Sequence, residues 1–204
     1  VAAQLDPNKG LAVHESLLLK ILATRDPGQP PRWIFTTNYD LAIEHAAESL
    51  GVHLVSGFVG VHKRRFEPTA LDLGYYLRAA RGEARFGAPY ACLAKLHGSI
   101  TWFEDGHDVV EHSEAFALKE MKERSPVLIP PTRAKYMDSV GFVQGELFRR
   151  LAEFVQQPNS VLLVNGYALS DRHLDRLMFT GLLNPTFHLV LCCYDTRVAE
   201  QKDG

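Results

Sequence analysis

Two short strings in this chain place reactive residue types close together: Thr36-Thr37-Asn38-Tyr39-Asp40 and Lys95-Leu96-His97-Gly98-Ser99. Each follows an apolar run that predicts a strand, Trp33-Ile34-Phe35 before the first and Cys92-Leu93-Ala94 before the second. In an open parallel sheet a ligand lies beyond the carboxyl ends of the strands. An amide (Asn38), a carboxylate (Asp40) and an imidazole (His97) at such ends can share one crevice. That trio suits cleavage of a glycosidic bond to a cationic leaving group, which needs a held sugar, a stabilised positive charge and a base.

Each residue also has a plain structural reading. Asn38 stands between a strand and a helix, so it either caps that helix or offers its amide to a ligand. Asp40, in the expected first helical turn, favours the helix dipole. A helix N-terminus also receives anions such as pyrophosphate. His97 is one of nine histidines, but only this one precedes Gly-Ser, where glycine lets a ligand approach the backbone. Its ordinary pKa of ~6.5 suits a general base near neutrality.

Two further segments lie at predicted strand ends. Asn165-Gly166-Tyr167-Ala168-Leu169-Ser170-Asp171 follows an apolar strand and opens a helix. Ser170 or Asp171 is an N-cap there, and the same geometry can cradle phosphate or ribose. Asp195, after Cys193-Tyr194, is either a turn residue or an acid for ribose hydroxyls, with the turn reading slightly preferred.

These positions need a sheet, and the pattern supplies one. Residues 11–24 predict a helix ended by Pro27, Pro30 and Pro31. Strand 33–36, helix 39–50 with Gly51 as its stop, and strand 52–55 follow. Residues 57–90 read as an excursion, a small subdomain with a short helix at 71–80. Strands 92–96 and 100–103 flank the His97 turn, and 109–112 can pair with the latter as a hairpin. Helix 113–124, strand 127–129 stopped by Pro130-Pro131, and helix 142–156 come next. Residues 160–194 then form a βαβ unit with buried strands at 160–164 and 187–194 around a helix at 171–183. Alternating strands and helices give an α/β fold with a Rossmann-like parallel sheet and helices on both faces.

Composition narrows the class. The chain has 204 residues, 46% apolar and 23% charged, with a net charge of −2, which fits one soluble domain. No global charge draws it to nucleic acid or an anionic membrane. The Lys63-Arg64-Arg65 cluster reads as a solvated loop ahead of a polyanion site. Cys92, Cys192 and Cys193 lie in apolar runs, as small hydrophobes, and cannot build a four-thiolate zinc site. His107 and His112, in the expected hairpin, have no metal-ligand pattern around them. No membrane-length run and no secretory signal occur, so a cytoplasmic protein is expected. The chain starts at Val1, not Met, and is expected to be cut from something longer.

In order, these motifs resemble the sirtuin-like family, in particular its bacterial branch in antiphage defence. Thr36-Thr37-Asn38-Tyr39-Asp40 is similar to the family's Asn-x-Asp segment. The resemblance implies that Asn38 meets the nicotinamide ribose and positions water, and that Asp40 helps hold the carboxamide. Lys95-Leu96-His97-Gly98-Ser99 is similar to the His-Gly motif with the catalytic histidine. The 165–171 turn stands where the family has a second ribose and phosphate turn, and Cys193-Tyr194-Asp195 where adenosine is contacted. Catalytic roles are thereby implied for Asn38 and His97. Cofactor contacts are implied for Thr37, Asn38, Asp40, Gly98, Ser99, Asn165, Gly166, Tyr167, Ser170, Asp171, Tyr194 and Asp195.

Two departures shape the expectation. The family begins with a strand and a Gly-rich turn, whereas residues 1–24 hold only Gly10, so that first strand and turn are expected to be missing. Residues 98–131 contain no cysteine, unlike the four-cysteine module of protein-deacylating sirtuins. The resemblance thus implies an NAD+ hydrolase that gives nicotinamide and ADP-ribose and depletes NAD+ in defence, without zinc. A deacylase or ADP-ribosyltransferase is the alternative, and a non-catalytic nucleotide-sensing assembly module is a third. The implied partners are NAD+, further copies of the chain, and a motor ATPase or Argonaute-like defence protein, with neither direct nucleic-acid binding nor a membrane.

Overall fold

The computed structural model describes residues 11–23, 29–74, 76–78, 84–86, 90–128 and 138–193, with the side chains of 76–78, 84–86, 138 and 139 excepted. The chain divides into two units, Val1–Gln144 and Gly145–Gly204.

The first unit opens with helix α1 (Ala12–Ala23), strand β1 (Arg32–Thr36), helix α2 (Ala42–Ser49) and strand β2 (His53–Val55). Strand β7 (Tyr90–Lys95) lies between β1 and β2, parallel to both. Every residue of β7 is buried. That explains its unbroken apolar run, because a central parallel strand is covered on both faces. Alpha-helical packing supports the sheet: Leu18, Ala46, Ala47 and Val52 form a buried cluster, and Ile34 and Leu54 pack against it. The small Ala46 and Ala47 let α1 approach α2.

Helix α2 stops as the sequence predicts. Gly51 takes φ +65°, its amide donates to the Glu48 carbonyl at 3.1 Å, and the Val52 amide donates to Ala47 at 2.8 Å. This paired arrangement needs a left-handed residue, which glycine supplies without penalty.

The excursion differs from its expected form. Residues 57–74 hold strands β3 (Phe58–Val59) and β4 (Lys63–Phe66) and a 3-10 turn at Pro68–Asp72. Strands β5 (Tyr76–Arg78) and β6 (Ala84–Phe86) then pair antiparallel. The helix expected at 71–80 is therefore replaced by a 3-10 turn and a strand. Pro68 starts that turn and the Glu67 side chain accepts from the Thr69 amide, so the coil tightens and then ends at Leu73 in extended backbone. The helical excursion is a β excursion.

Strands β8 (Trp102–Asp105) and β9 (Asp108–His112) form the expected hairpin, with β8 two residues later than the pattern placed it. They join β3 and β4 in a sheet of order β3-β4-β9-β8. Its inner side holds Phe103 and Val110 against Ala117 of helix α3 (Glu114–Glu120). Helix α3 is shorter than the predicted 113–124. Of the strand expected at 127–129, the described part is a single bridge between Leu128 and Gly98.

Helix α4 (Asp138–Gln156) carries the chain from the first unit into the second. Strand β10 (Val161–Asn165), helix α5 (Arg172–Gly181) and strand β11 (His188–Cys192) form the predicted βαβ unit, with β10 and β11 parallel. Gly181 allows close packing: a Cβ there would lie 2.8 Å from Val155 and 2.9 Å from Phe187. The two strands are not buried as expected. Val161, Leu163 and Val190 are 56%, 54% and 45% exposed, since a sheet of two described strands leaves one face uncovered.

Candidate active site

The register of β1 and β7 brings the two reactive strings together. Thr36 is the partner of Lys95. Past the strand ends the contact continues: the Leu96 amide donates to the Thr36 carbonyl at 2.9 Å, and the Ile100 amide to the Tyr39 carbonyl at 3.1 Å. The loop carrying Asn38 and the turn carrying His97 thus run side by side beyond the carboxyl ends of neighbouring strands, where α/β sheets bind ligands.

Within the first loop neither Asn38 nor Asp40 is the N-cap of α2: that position is Leu41, with no side-chain cap bond. Asp40 Oδ1 accepts the Ala42 amide at 3.0 Å, and α2 begins only at Ala42. Asp40 therefore stands ahead of the helix rather than in its first turn. Asn38 is exposed, and its backbone amide donates to Thr36 Oγ1 at 3.1 Å. The capping role expected for Asn38 is thus not taken up by it; the oxygen that reaches the first helical amide is Asp40 Oδ1, and Asn38 is exposed to solvent. Thr37 is half-buried beside it. Burial raises the Tyr39 phenol above its ordinary value.

Lys95 links the two strings, a role that sequence pattern alone did not assign. It is 3% exposed. Its Nζ donates to the Asp40 carbonyl and to Ser99 Oγ at 3.2 Å, and lies 2.6 Å from Glu44 Oε1. Burial pushes the Glu44 carboxyl up, against the pull of the Lys95 charge. Glu44 Oε2 is buried without a hydrogen-bond partner. The available signals were a lysine ending an apolar strand and an acid one helical turn after Asp40.

The second string is tightly set. His97 is 6% exposed and Ser99 is fully buried. Gly98 has φ +94°, and a Cβ on it would fall 2.1 Å from the Val127 carbonyl oxygen. Glycine here accommodates the chain's own backbone, where a ligand had been expected to need the space. Ser99 Oγ lies 2.9 Å from Thr101 Oγ1 as well as bonding Lys95, so its partners are protein groups.

The second unit holds the other predicted turn at the end of β10. Asn165, Gly166 and Ser170 are exposed. Asp171 is the cap of α5, its Oδ1 accepting the His173 and Leu174 amides at 2.8 and 3.2 Å. The Tyr167 hydroxyl accepts the Asp171 amide at 3.0 Å and lies 2.9 Å from Asp175 Oδ1. Burial drives this phenol far above its ordinary value. Leu169 takes φ +51°, a strained value for a branched side chain. Tyr194 and Asp195, the expected adenosine contacts, lie outside the described residues.

Other expectations are revised. Lys63-Arg64-Arg65 is strand, not loop. Lys63 pairs with Asp105 at 2.5 Å, Arg64 with Glu111, and Arg65 with Asp105 and Asp108. The cluster is neutralised by acids of the β8–β9 hairpin. Cys92 is buried, but Cys192 and Cys193 are exposed and do not act as core hydrophobes. Among the described residues, no group of three His, Cys, Asp or Glu could hold a metal ion. No described helix is long and apolar enough to cross a membrane.

A parallel sheet flanked by helices, with amide, carboxylate and imidazole loops at adjoining strand ends, defines an α/β protein of Rossmann-like type. Residues 32–184 match the SIR2-like domain, and the chain belongs to that family. SIR2-like domains bind NAD+ and are usually NAD-using enzymes. No curated protein matches the sequence.

Proposed function

We propose that this protein hydrolyses NAD+ at the nicotinamide–ribose bond, releasing nicotinamide and ADP-ribose. The observation that supports this best is the Thr36–Lys95 register, which sets the Asn38 loop against the His97 turn. The donor set fits the ligand. Asn38 offers an exposed amide not used for capping, and Asp40 has Oδ1 engaged by Ala42, which leaves Oδ2 for a carboxamide N–H. Bound NAD+ supplies a cationic nicotinamide as leaving group, so the protein need not protonate it.

The chain's own residues then have distinct tasks. Asn38 orients a ribose hydroxyl and a water. Asp40 holds the carboxamide, and its charge favours the positive character that develops on the sugar. His97 takes a proton from the attacking water or a ribose hydroxyl. Its near-complete burial keeps bulk water from that proton. In a bacterial cell such turnover would drain NAD+, the effect on which an antiphage role rests.

The test is incubation of the protein with NAD+ and quantitation of nicotinamide and ADP-ribose, beside His97→Ala. The variant is expected to fold and to lose ~10²–10⁴-fold in rate. Equal nicotinamide release from a folded His97→Ala protein would remove the histidine from the chemistry. Release that depends on an acylated peptide would favour the deacylase.

A further inference from the structure

We infer that Lys95 is a positioning residue: its buried ammonium holds the Asp40 loop and the Ser99 turn in one fixed relation. This rests on the reading of the site as one that cleaves NAD+. The ammonium bonds the Asp40 carbonyl, Ser99 Oγ and Glu44 Oε1 together. The first belongs to the residue two after Asn38, and the second to the residue two after His97. Glu44 supplies the countercharge that an interior ammonium requires. An ammonium has three donors, and Lys95, at 3% exposure, has three protein oxygens in place to receive them. Displacing a catalytic group by about 1 Å can cost ~10²-fold in rate, and here one side chain sets the distance between two such groups.

The experiment compares the intact parent, Lys95→Met/Glu44→Gln and Lys95→Arg. The double variant removes both charges together, so no buried charge is stranded. Melting temperature, nicotinamide release at varied NAD+, and amide exchange at Asn38, Ala42 and Ile100 are measured. The double variant is expected to melt close to the parent, to lose ~10²-fold in kcat with a smaller change in KM, and to exchange those amides faster. If the double variant does not fold, Lys95→Arg keeps the charge in a planar fork that cannot reproduce the three contacts, and should show the same kcat loss and faster exchange. Parental kcat and exchange in a folded variant would overturn the inference, as would turnover that returns whenever melting does. A parent that releases no nicotinamide would sink the cleavage reading instead. The exchange rates alone would then decide the role of Lys95.

Discussion

The Ile100 amide donates to the Tyr39 carbonyl at 3.1 Å. This main-chain bond ties the residue after Asn38 to the residue after Ser99, whatever their side chains are. Substituting the Asn38 or His97 side chain should therefore leave the loops paired, which makes their functional roles separable from folding.

Asn38→Asp is the sharpest case. Because the N-cap of α2 is Leu41 and Asp40 accepts the Ala42 amide, position 38 has no capping duty to lose. Stability should stay within ~0.5 kcal/mol of the parent. The new carboxylate stands two residues from Asp40, and two close carboxylates resist joint ionisation. NAD+ turnover should fall strongly. Thermal melting and nicotinamide release measured on the same sample check both halves, and parental turnover would leave Asn38 without a role.

Asp40 carries two duties that different substitutions separate. Asp40→Asn keeps an oxygen that can accept the Ala42 amide and should melt near the parent, because Asn and Asp accept such helix-start amides about equally. It removes the charge, so turnover should drop. Asp40→Ala loses both and should cost about 1 kcal/mol of stability besides. Equal stability of the two variants in chemical denaturation would contradict a stabilising role for the Asp40–Ala42 bond.

Gly98→Ala should be among the most damaging small changes in the first unit. A Cβ there would meet the Val127 carbonyl oxygen at 2.1 Å, at φ +94°. Left-handed strain and displaced backbone together predict a loss of about 3 kcal/mol or more. Urea unfolding reads this directly. Gly106→Ala is the control: it shares a positive φ but meets nothing within 4 Å, so it should cost less.

Stability should fall in mild acid through His112. Burial holds its imidazole below the ordinary value of 6.5, helped by Lys63 and Arg124 and opposed by Glu120 and Asp105. The ring sits against Phe103 and Phe116, with centroids 5.7 and 4.7 Å away. As pH falls, the unfolded chain takes up this proton first. The contribution is complete above about pH 6.5 and shrinks as pH drops towards the folded value. His112→Gln should melt lower at about pH 7.5 but show a shallower decline towards about pH 5.5. An unchanged slope would remove His112 as the cause.

Much of the first unit was legible because its strands are short apolar runs closed by turn residues. Residues 33–36 and 92–96 needed only their own pattern. Lys63-Arg64-Arg65 did not show itself as strand, because the acids that neutralise it, Asp105, Asp108 and Glu111, lie far along the chain. The sequence points to Asn38 for the bond that Asp40, two residues on, makes with the Ala42 amide, because both residue types can serve and only geometry decides which oxygen reaches the first helical amide. The sequence pattern assigns Lys95 no task. Its three bonds exist only once β1, α2 and β7 have packed. The buried aspect expected for β10 and β11 came from their apolar content, which does not say how many faces are covered.

The placement of β7 has a consequence for how the chain reaches this state. Both of its neighbours, β1 and β2, precede it in sequence, and neither pairs with the other. The parallel sheet therefore has no strand pairing until residues 90–95 arrive, which makes its assembly a late, non-local event. Closing the intervening chain depends only weakly on its length, about 0.6 kcal/mol per doubling. The β excursion between β2 and β7 can thus lengthen or shorten at little cost in closure, while the relation of Asn38 to His97, fixed by β1 against β7, stays the same.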